Sequence, residues 1–313
     1  MTTFGFQIPN FTFGGEDRDI FGRVVELAKT AEHNGFESIW VMDHFYQLPA
    51  LGGGTQPMLE AYTLLGALAA VTSSARLGTL VTGVTYRNPA LLAKQVTTLD
   101  VISGGRAILG IGAAWHDTEH EAMGFDFPPV KERMDRLEEA VQICRAMFTQ
   151  ETPTFDGTYY RVHDVHNVPR PIQPGGPPIM IGGSGEKRTL KLVAKYADLC
   201  NITGDAATIR HKIGVLREHC ASVGRDPSEI TATRLATLLL TNSAAETAQA
   251  NEFLAQAAGA DAAAGFNVGE EHEIVDQVGA LVDAGLDTLI FNMPLSAADA
   301  IARAGTALTK AFS

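Results

Sequence analysis

Apolar, β-rich runs alternate with amphipathic segments along the whole chain, and eight rounds of that alternation leave few folds open. The runs are residues 4–9, 38–44, 76–83, 106–113, 179–182, 197–203, 230–241 and 288–292. Most are apolar throughout instead of at every second position, the mark of strands covered on both faces. Helices between consecutive strands then imply a parallel sheet. Eight β/α units close into a (β/α)8 TIM barrel more readily than they spread into an open, doubly wound sheet, the competing architecture. A length of 313 residues suits one such barrel with insertions, so residues 1–313 are expected to form a single domain.

Caps and breakers mark the helices. Asn88 and Pro89 read as an N-cap followed by proline at the first helical position, and this helix should end near Ser103, Gly104 and Gly105. Other helices are expected over 17–34 and 57–72, and a long helical region over 115–147 is interrupted at Pro128 and Pro129. Residues 151–178 break the rhythm with six prolines, an Asp156-Gly157 turn and a short β-like stretch at 159–162. The alternation resumes directly afterwards, so this segment reads as an insertion after the fourth β/α unit. Residues 244–264 are Ala-rich and expected to pack loosely.

Composition narrows function by exclusion. A formal net charge of −12 leaves no basic field to displace counterions, which argues against a nucleic-acid partner. The longest apolar stretch, residues 64–84, is broken by Thr72, Ser73, Ser74 and Arg76, so no membrane span is expected. The start MTTFGFQIPN lacks the basic and apolar regions of an export signal. Cys144, Cys200 and Cys220 are odd in number and far apart, as reduced thiols of a cytoplasmic protein would be.

In a (β/α)8 barrel the chemistry sits at the C-terminal ends of the strands. Asp43 and His44 end the second strand, where a carboxylate and an imidazole could supply an acid or base near neutral pH; a loop pair capping the next helix is the plainer reading. Gly83 ends the third strand and could give a ligand room to approach. Gly110, Gly112, Ala113 and Ala114 leave space above the fourth, without the third glycine of a dinucleotide fingerprint. The sharpest local signal is Gly182, Gly183, Ser184, Gly185, Glu186, Lys187 and Arg188. A strand ends there, small residues turn the chain, and a helix begins, so free backbone N–H groups and the Ser184 hydroxyl could hold a phosphate. Lys191 and Lys195 extend its positive charge along the helix. His116, Glu119 and His120 invite a metal reading, but the order is not HExxH and no third ligand is near, so they read as a surface helix start and no metal is expected. No GxSxG elbow is present.

Taken in order, these segments resemble the luciferase-like monooxygenase superfamily over nearly the whole chain, from Phe4 to about Phe312. The resemblance is carried by Ser38-Ile39-Trp40-Val41-Met42-Asp43-His44, Asn88-Pro89-Ala90-Leu91-Leu92-Ala93-Lys94-Gln95 and Leu99-Asp100-Val101-Ile102-Ser103-Gly104-Gly105-Arg106. Gly110-Ile111-Gly112-Ala113-Ala114-Trp115, the turn from Gly182 to Arg188 and Tyr196-Ala197-Asp198 complete it. That superfamily contains flavin (FMN) monooxygenases and enzymes of the deazaflavin coenzyme F420. The ending Asp43-His44-Phe45, in place of Glu-His-His, is similar to the deazaflavin branch, and implies an oxidoreductase passing hydride between coenzyme F420 and a small-molecule substrate. By the same resemblance His44 is the acid/base, positioned by Asp43. Asp43, Leu80, Val81, Ala113 and the turn bind the cofactor, the basic helix favours its acidic tail, and Phe45 and Trp115 wall the substrate side. Related barrels place a non-prolyl cis peptide at the end of the third strand, which corresponds here to Leu80–Val81. Trp115 stands where sugar-phosphate dehydrogenases of the family carry an acidic residue, which speaks against a sugar-phosphate substrate. Two other readings stay open: an FMN monooxygenase supplied with reduced flavin by a partner reductase, and a catalytically silent flavin-binding relative. A second copy of the chain is a further candidate partner.

Overall fold

Eight parallel strands pair side by side until the last meets the first. In this computed structural model, which describes residues 1–258, 265–294 and 297–312, they are β1 (Thr3–Ile8), β2 (Ser38–Val41), β3 (Arg76–Thr79), β4 (Ala107–Gly112), β5 (Ile179–Gly182), β6 (Leu199–Asn201), β7 (Thr231–Leu240) and β8 (Thr288–Asn292). Each pairs in parallel with its neighbours in chain order, and β1 pairs with β8 as well as with β2, which closes the ring. The chain is a (β/α)8 TIM barrel.

The helices around it are α1 (Ile20–His33), α2 (Ala61–Val71), α3 (Pro89–Ser103), α4 (Asp117–Met123), α5 (Val130–Thr149), α6 (Thr189–Tyr196), α7 (Ala206–Val223), α8 (Ala244–Ala258), α9 (Glu271–Asp283) and α10 (Ala298–Phe312). Local chemistry sets their ends. The Asn88 side chain accepts the Ala90 N–H at 2.9 Å, Pro89 opens α3, and Gly104 closes it in the left-handed region at φ 70°. None of the described helices is long and apolar enough to cross a membrane.

The apolar mass divides into two. A large cluster fills the layer between strands and helices. A smaller one, Trp40, Ile108, Met180, Leu199 and Ile290, plugs the barrel interior and meets Leu80, Val81 and Leu235 at its upper edge. Trp40 fits there because Gly78 has no side chain: a Cβ at that position would stand 2.9 Å from the indole ring.

The structure departs from the sequence reading in four places. The third strand ends at Thr79; the chain then crosses the Leu80–Val81 bond, and Thr82–Gly83 pairs separately with the outer end of β4. A further parallel strand, Phe266–Gly269, pairs with β7 beyond the point where β8 stops, because β7 is ten residues long and its outer half would otherwise lack a partner. The insertion forms a hairpin of Phe155–Asp156 and Arg161–Val162, docked by the Glu139 carboxylate of α5, which accepts the Thr158, Tyr159 and Tyr160 N–H groups at 2.8, 2.9 and 3.0 Å. The Ala-rich stretch is helical to Ala258, with Leu254 buried and Phe253 exposed; its remainder, 259–264, lies outside the described residues.

Candidate active site

A cavity of about 380 Å³ opens at the C-terminal mouth of the barrel, within the size range of small-molecule pockets. Its walls come from the ends of successive strands. Asp43 and His44 follow β2, Leu80 and Val81 follow β3, Ala113, Ala114 and Trp115 follow β4, and Gly182, Gly183, Ser184 and Gly185 follow β5.

His44 is held by a carboxylate the sequence reading had placed elsewhere. Its Nδ1 lies 2.6 Å from Oε1 of Glu119, a fully buried residue in the first turn of α4. The other oxygen of Glu119 accepts the N–H groups of Phe45 at 2.8 Å and Tyr46 at 3.3 Å, and the Tyr86 hydroxyl donates to Oε1. Burial works to raise the Glu119 carboxyl, but hydrogen bonds from His44, Tyr86 and Phe45 outweigh it and hold the group at about 2. An ionised carboxylate only accepts, so Nδ1 carries the proton and Nε2 is left as the acceptor.

Asp43, expected to orient His44, serves a different partner. Arg87 grips it with two bonds, Nη1 to Oδ2 at 2.7 Å and Nη2 to Oδ1 at 3.0 Å, and reaches Glu60 at 2.6 Å. Burial raises the Asp43 carboxyl and the Arg87 guanidinium opposes that rise. Asp43 therefore lines the cavity without bonding to His44. The reason is geometric: adjacent residues at a strand end project to different sides, so a side chain rarely orients its immediate neighbour.

The segment after β3 is fixed from both sides. The Leu80 N–H donates to the Val41 carbonyl at 2.9 Å, and Gln7 Nε2 donates to the Leu80 carbonyl at 3.4 Å. The Leu80–Val81 bond is cis, as the resemblance implied. The Val81 side chain sits in a slot made by missing side chains. A Cβ on Gly112 would stand 2.9 Å from it and one on Gly182 2.8 Å, while a Cβ on Gly110 would strike the Thr79 carbonyl oxygen at 1.9 Å. The small residues above β4 thus make room for Val81. Gly83 likewise abuts the Tyr86 ring, not open space.

The turn after β5 is only partly as expected. Gly182, Gly183, Ser184 and Gly185 line the cavity, joined by Thr189 at the start of α6. Glu186, Lys187 and Arg188 do not. Glu186 is tied to Lys212 at 2.6 Å and His211 at 3.1 Å, Lys187 is exposed, and Arg188 pairs with Asp135. The Gly183 N–H is already given to the Asn201 carbonyl at 3.1 Å. Lys195 pairs with Glu138, so the basic face of α6 is half neutralised.

Of the two expected aromatic walls, Trp115 lines the cavity at 62% exposure, edge-on to His44 at 5.5 Å and stacked on His116 at 5.0 Å. Phe45 does not line it; its ring packs against Phe125 and Tyr86. The helix start at 116–120 is not a surface feature, since Glu119 and His120 are both fully buried. His120 bonds Thr85 and the His116 carbonyl, each at 2.6 Å. Among the described residues no group of three or more His, Cys, Asp or Glu is arranged to hold a metal. Sequence reasoning also missed Tyr86, Arg87, Thr189 and Asn201, which carry no motif; Glu119 was visible in His116-Asp117-Thr118-Glu119-His120 but given no partner.

The chain matches the family model for luciferase-like monooxygenase over residues 2–273. It is 38% identical over 177 residues to the F420-dependent glucose-6-phosphate dehydrogenase of Kineococcus radiotolerans, covering 56% of this chain and 49% of that protein. It is 36% identical to the enzyme of the same name from Amycolatopsis mediterranei, covering 63% and 55%. The chain thus spans about half the length of these curated relatives. Among solved structures, an F420-dependent secondary alcohol dehydrogenase superposes with a TM-score of 0.83 at 20% identity, over 100% of this chain and 99% of that one. The coenzyme F420-dependent tetrahydromethanopterin reductase of Methanopyrus kandleri gives 0.80 at 20% identity, with the same coverage. At that identity the two structures speak for the shared barrel.

Proposed function

The chain belongs to the luciferase-like monooxygenase family, and we propose that it is an oxidoreductase moving a hydride between coenzyme F420 and a small organic substrate, with His44 as acid/base. The observation that carries this reading is the buried Glu119 carboxylate on Nδ1 of His44, which leaves Nε2 free to act at the barrel mouth. The two relatives at 38% and 36% identity bear the name of an F420-dependent dehydrogenase, which supports the choice of cofactor.

The cavity fits a flat, phosphate-bearing cofactor. Glycines at 112 and 182 seat Val81 so that it forms part of the wall instead of blocking it. Leu80, Val81 and Ala113 would support the ring, while Ser184, Gly185 and Thr189 would face the phosphate. When bound, a deazaflavin supplies two-electron hydride chemistry and activates oxygen poorly; the protein supplies binding, orientation and one proton. His44 takes a hydroxyl proton on Nε2 when an alcohol is oxidised and returns it to the oxygen when a carbonyl is reduced. Glu119 stabilises the imidazolium that forms in the first case and holds the ring's orientation in both. Trp115 and His116 stack on each other at this side of the mouth, both edge-on to the His44 ring.

Fluorescence titration of the purified protein with deazaflavin coenzyme and with FMN tests the assignment. Tighter binding of the deazaflavin is expected. Tight FMN binding with no measurable deazaflavin binding would replace this reading with that of a flavin monooxygenase served by a reductase, and binding without turnover of any substrate would leave a cofactor carrier.

A further inference from the structure

We propose that the substrate is an uncharged alcohol or carbonyl compound with an apolar body, and not a phosphorylated sugar; this rests on the hydride-transfer reading above and adds the class of molecule it serves. A sugar phosphate is a monoester carrying close to two negative charges and needs a cation where it docks, because taking a dianion out of water without a charged partner is strongly unfavourable. The cofactor's singly charged phosphodiester would rest instead on the small-residue turn at Ser184 and Gly185 and the Thr189 hydroxyl. Among the described residues no Lys or Arg lines the cavity. Barrels of this class commonly seat phosphate in the loops after the seventh and eighth strands. Here the sequence contains no Lys or Arg from Leu235 through Ala302, a span that includes both loops and residues 259–264 and 295–296. The next cation, Arg303, is bonded to Glu271 at 2.9 Å and Asn242 at 2.8 Å.

The cations nearest the mouth are committed. Arg87 is held between Asp43 and Glu60. Arg133 donates to the Ala113 carbonyl at 3.1 Å and to that of Ala114, with its guanidinium 4.0 Å over the Phe127 ring. Arg234 donates to the Gly204 and Gly265 carbonyls at 2.9 and 2.8 Å. Lys187 is exposed past the turn, at the end given to the cofactor's phosphate. The buried Glu119 carboxylate stands just behind the wall, on His44, and disfavours a second anion. What the mouth does offer is the largely exposed Trp115 ring, 5.5 Å from the His44 ring, a surface for an apolar body beside the acid/base.

The two tryptophans allow a test that needs no turnover. Trp40 is buried inside the barrel and Trp115 is exposed at the mouth, so quenching of Trp115 emission reports occupancy, with Trp115→Phe as the blank. The protein is titrated with cyclohexanone, acetophenone and glucose 6-phosphate, alone and with deazaflavin bound, and cofactor reduction by cyclohexanol, 1-phenylethanol and glucose 6-phosphate is followed in parallel. The expected result is that the neutral ketones bind at least about tenfold more tightly than glucose 6-phosphate and that only the neutral alcohols reduce the cofactor. Turnover of glucose 6-phosphate, equal or tighter binding of it, or no quenching by either ketone at ~10 mM would overturn the proposal. If deazaflavin does not bind at all while the ketones still bind preferentially, the hydride-transfer reading falls and the preference for neutral ligands stands.

Discussion

Replacing Glu119 by glutamine keeps the shape of the side chain and removes its charge. In the native protein this carboxylate accepts hydrogen bonds from His44 Nδ1 at 2.6 Å, the Tyr86 hydroxyl and the Phe45 and Tyr46 amides. A glutamine can still accept the two amide bonds through its oxygen, but it turns an NH2 group toward His44. Nδ1 must then accept, and the ring proton moves to Nε2, the atom needed as base. A positioned acid/base contributes roughly 10²–10⁴-fold to a rate, so kcat should fall by at least about 10²-fold while cofactor affinity stays within a few-fold. A merely structural role for Glu119 would change the melting temperature but not the pH dependence of kcat, so the pH profile is the deciding measurement. If Glu119→Gln turned over at the wild-type rate with an unchanged profile, the argument that Glu119 sets the tautomer of His44 would be wrong.

The same residue carries a stability consequence with a definite sign. Its carboxyl falls from an ordinary 4.5 to about 2 on folding, equivalent to roughly 3 kcal/mol. A depressed carboxyl stabilises the fold fully above its unfolded value, and the contribution drains away as pH falls from about 4.5 to about 2. Urea titrations across that window should show wild type losing roughly 3 kcal/mol more than Glu119→Gln; parallel curves would mean the carboxylate is not held as the geometry indicates.

Other outcomes follow from single contacts. His44→Ala should lower turnover by about 10²-fold or more with cofactor binding nearly unchanged; normal steady-state rates would reduce His44 to a packing residue. Gly110→Ala places a methyl group 1.9 Å from the Thr79 carbonyl oxygen, and backbone cannot yield as a side chain can, so chemical denaturation should show a loss of at least about 3 kcal/mol. A wild-type midpoint would contradict the close approach of β3 and β4. Gly183 has φ 112°, where any side chain strains the backbone, so the cleaner probe of the phosphate turn is Gly185→Val. Its Cβ stands 3.0 Å from the Thr189 hydroxyl, and fluorescence titration should show cofactor affinity weakened by about tenfold or more; unchanged affinity would take this turn out of the site.

Closure of the barrel was legible in the sequence because the relevant signals are local. Apolar runs at 4–9, 38–44 and onward, the Asn88-Pro89 cap and Gly104 each act within a few residues of themselves, and eight such units close into a barrel more readily than they spread into an open sheet. The rim of the site could be placed roughly by the same means, although the second strand stops at Val41 and the third at Thr79, short of the runs 38–44 and 76–83. Charge pairing could not. Asp43 sits beside His44 in the chain, yet bonds Arg87, 44 residues on, while the carboxylate on His44 comes from Glu119, 75 residues away. Period and propensity say which side of a strand or helix is apolar, but not which of several polar groups will meet once the elements pack. That choice belongs to tertiary structure, because a buried charge settles wherever closure brings enough donors within hydrogen-bond distance to offset its lost water.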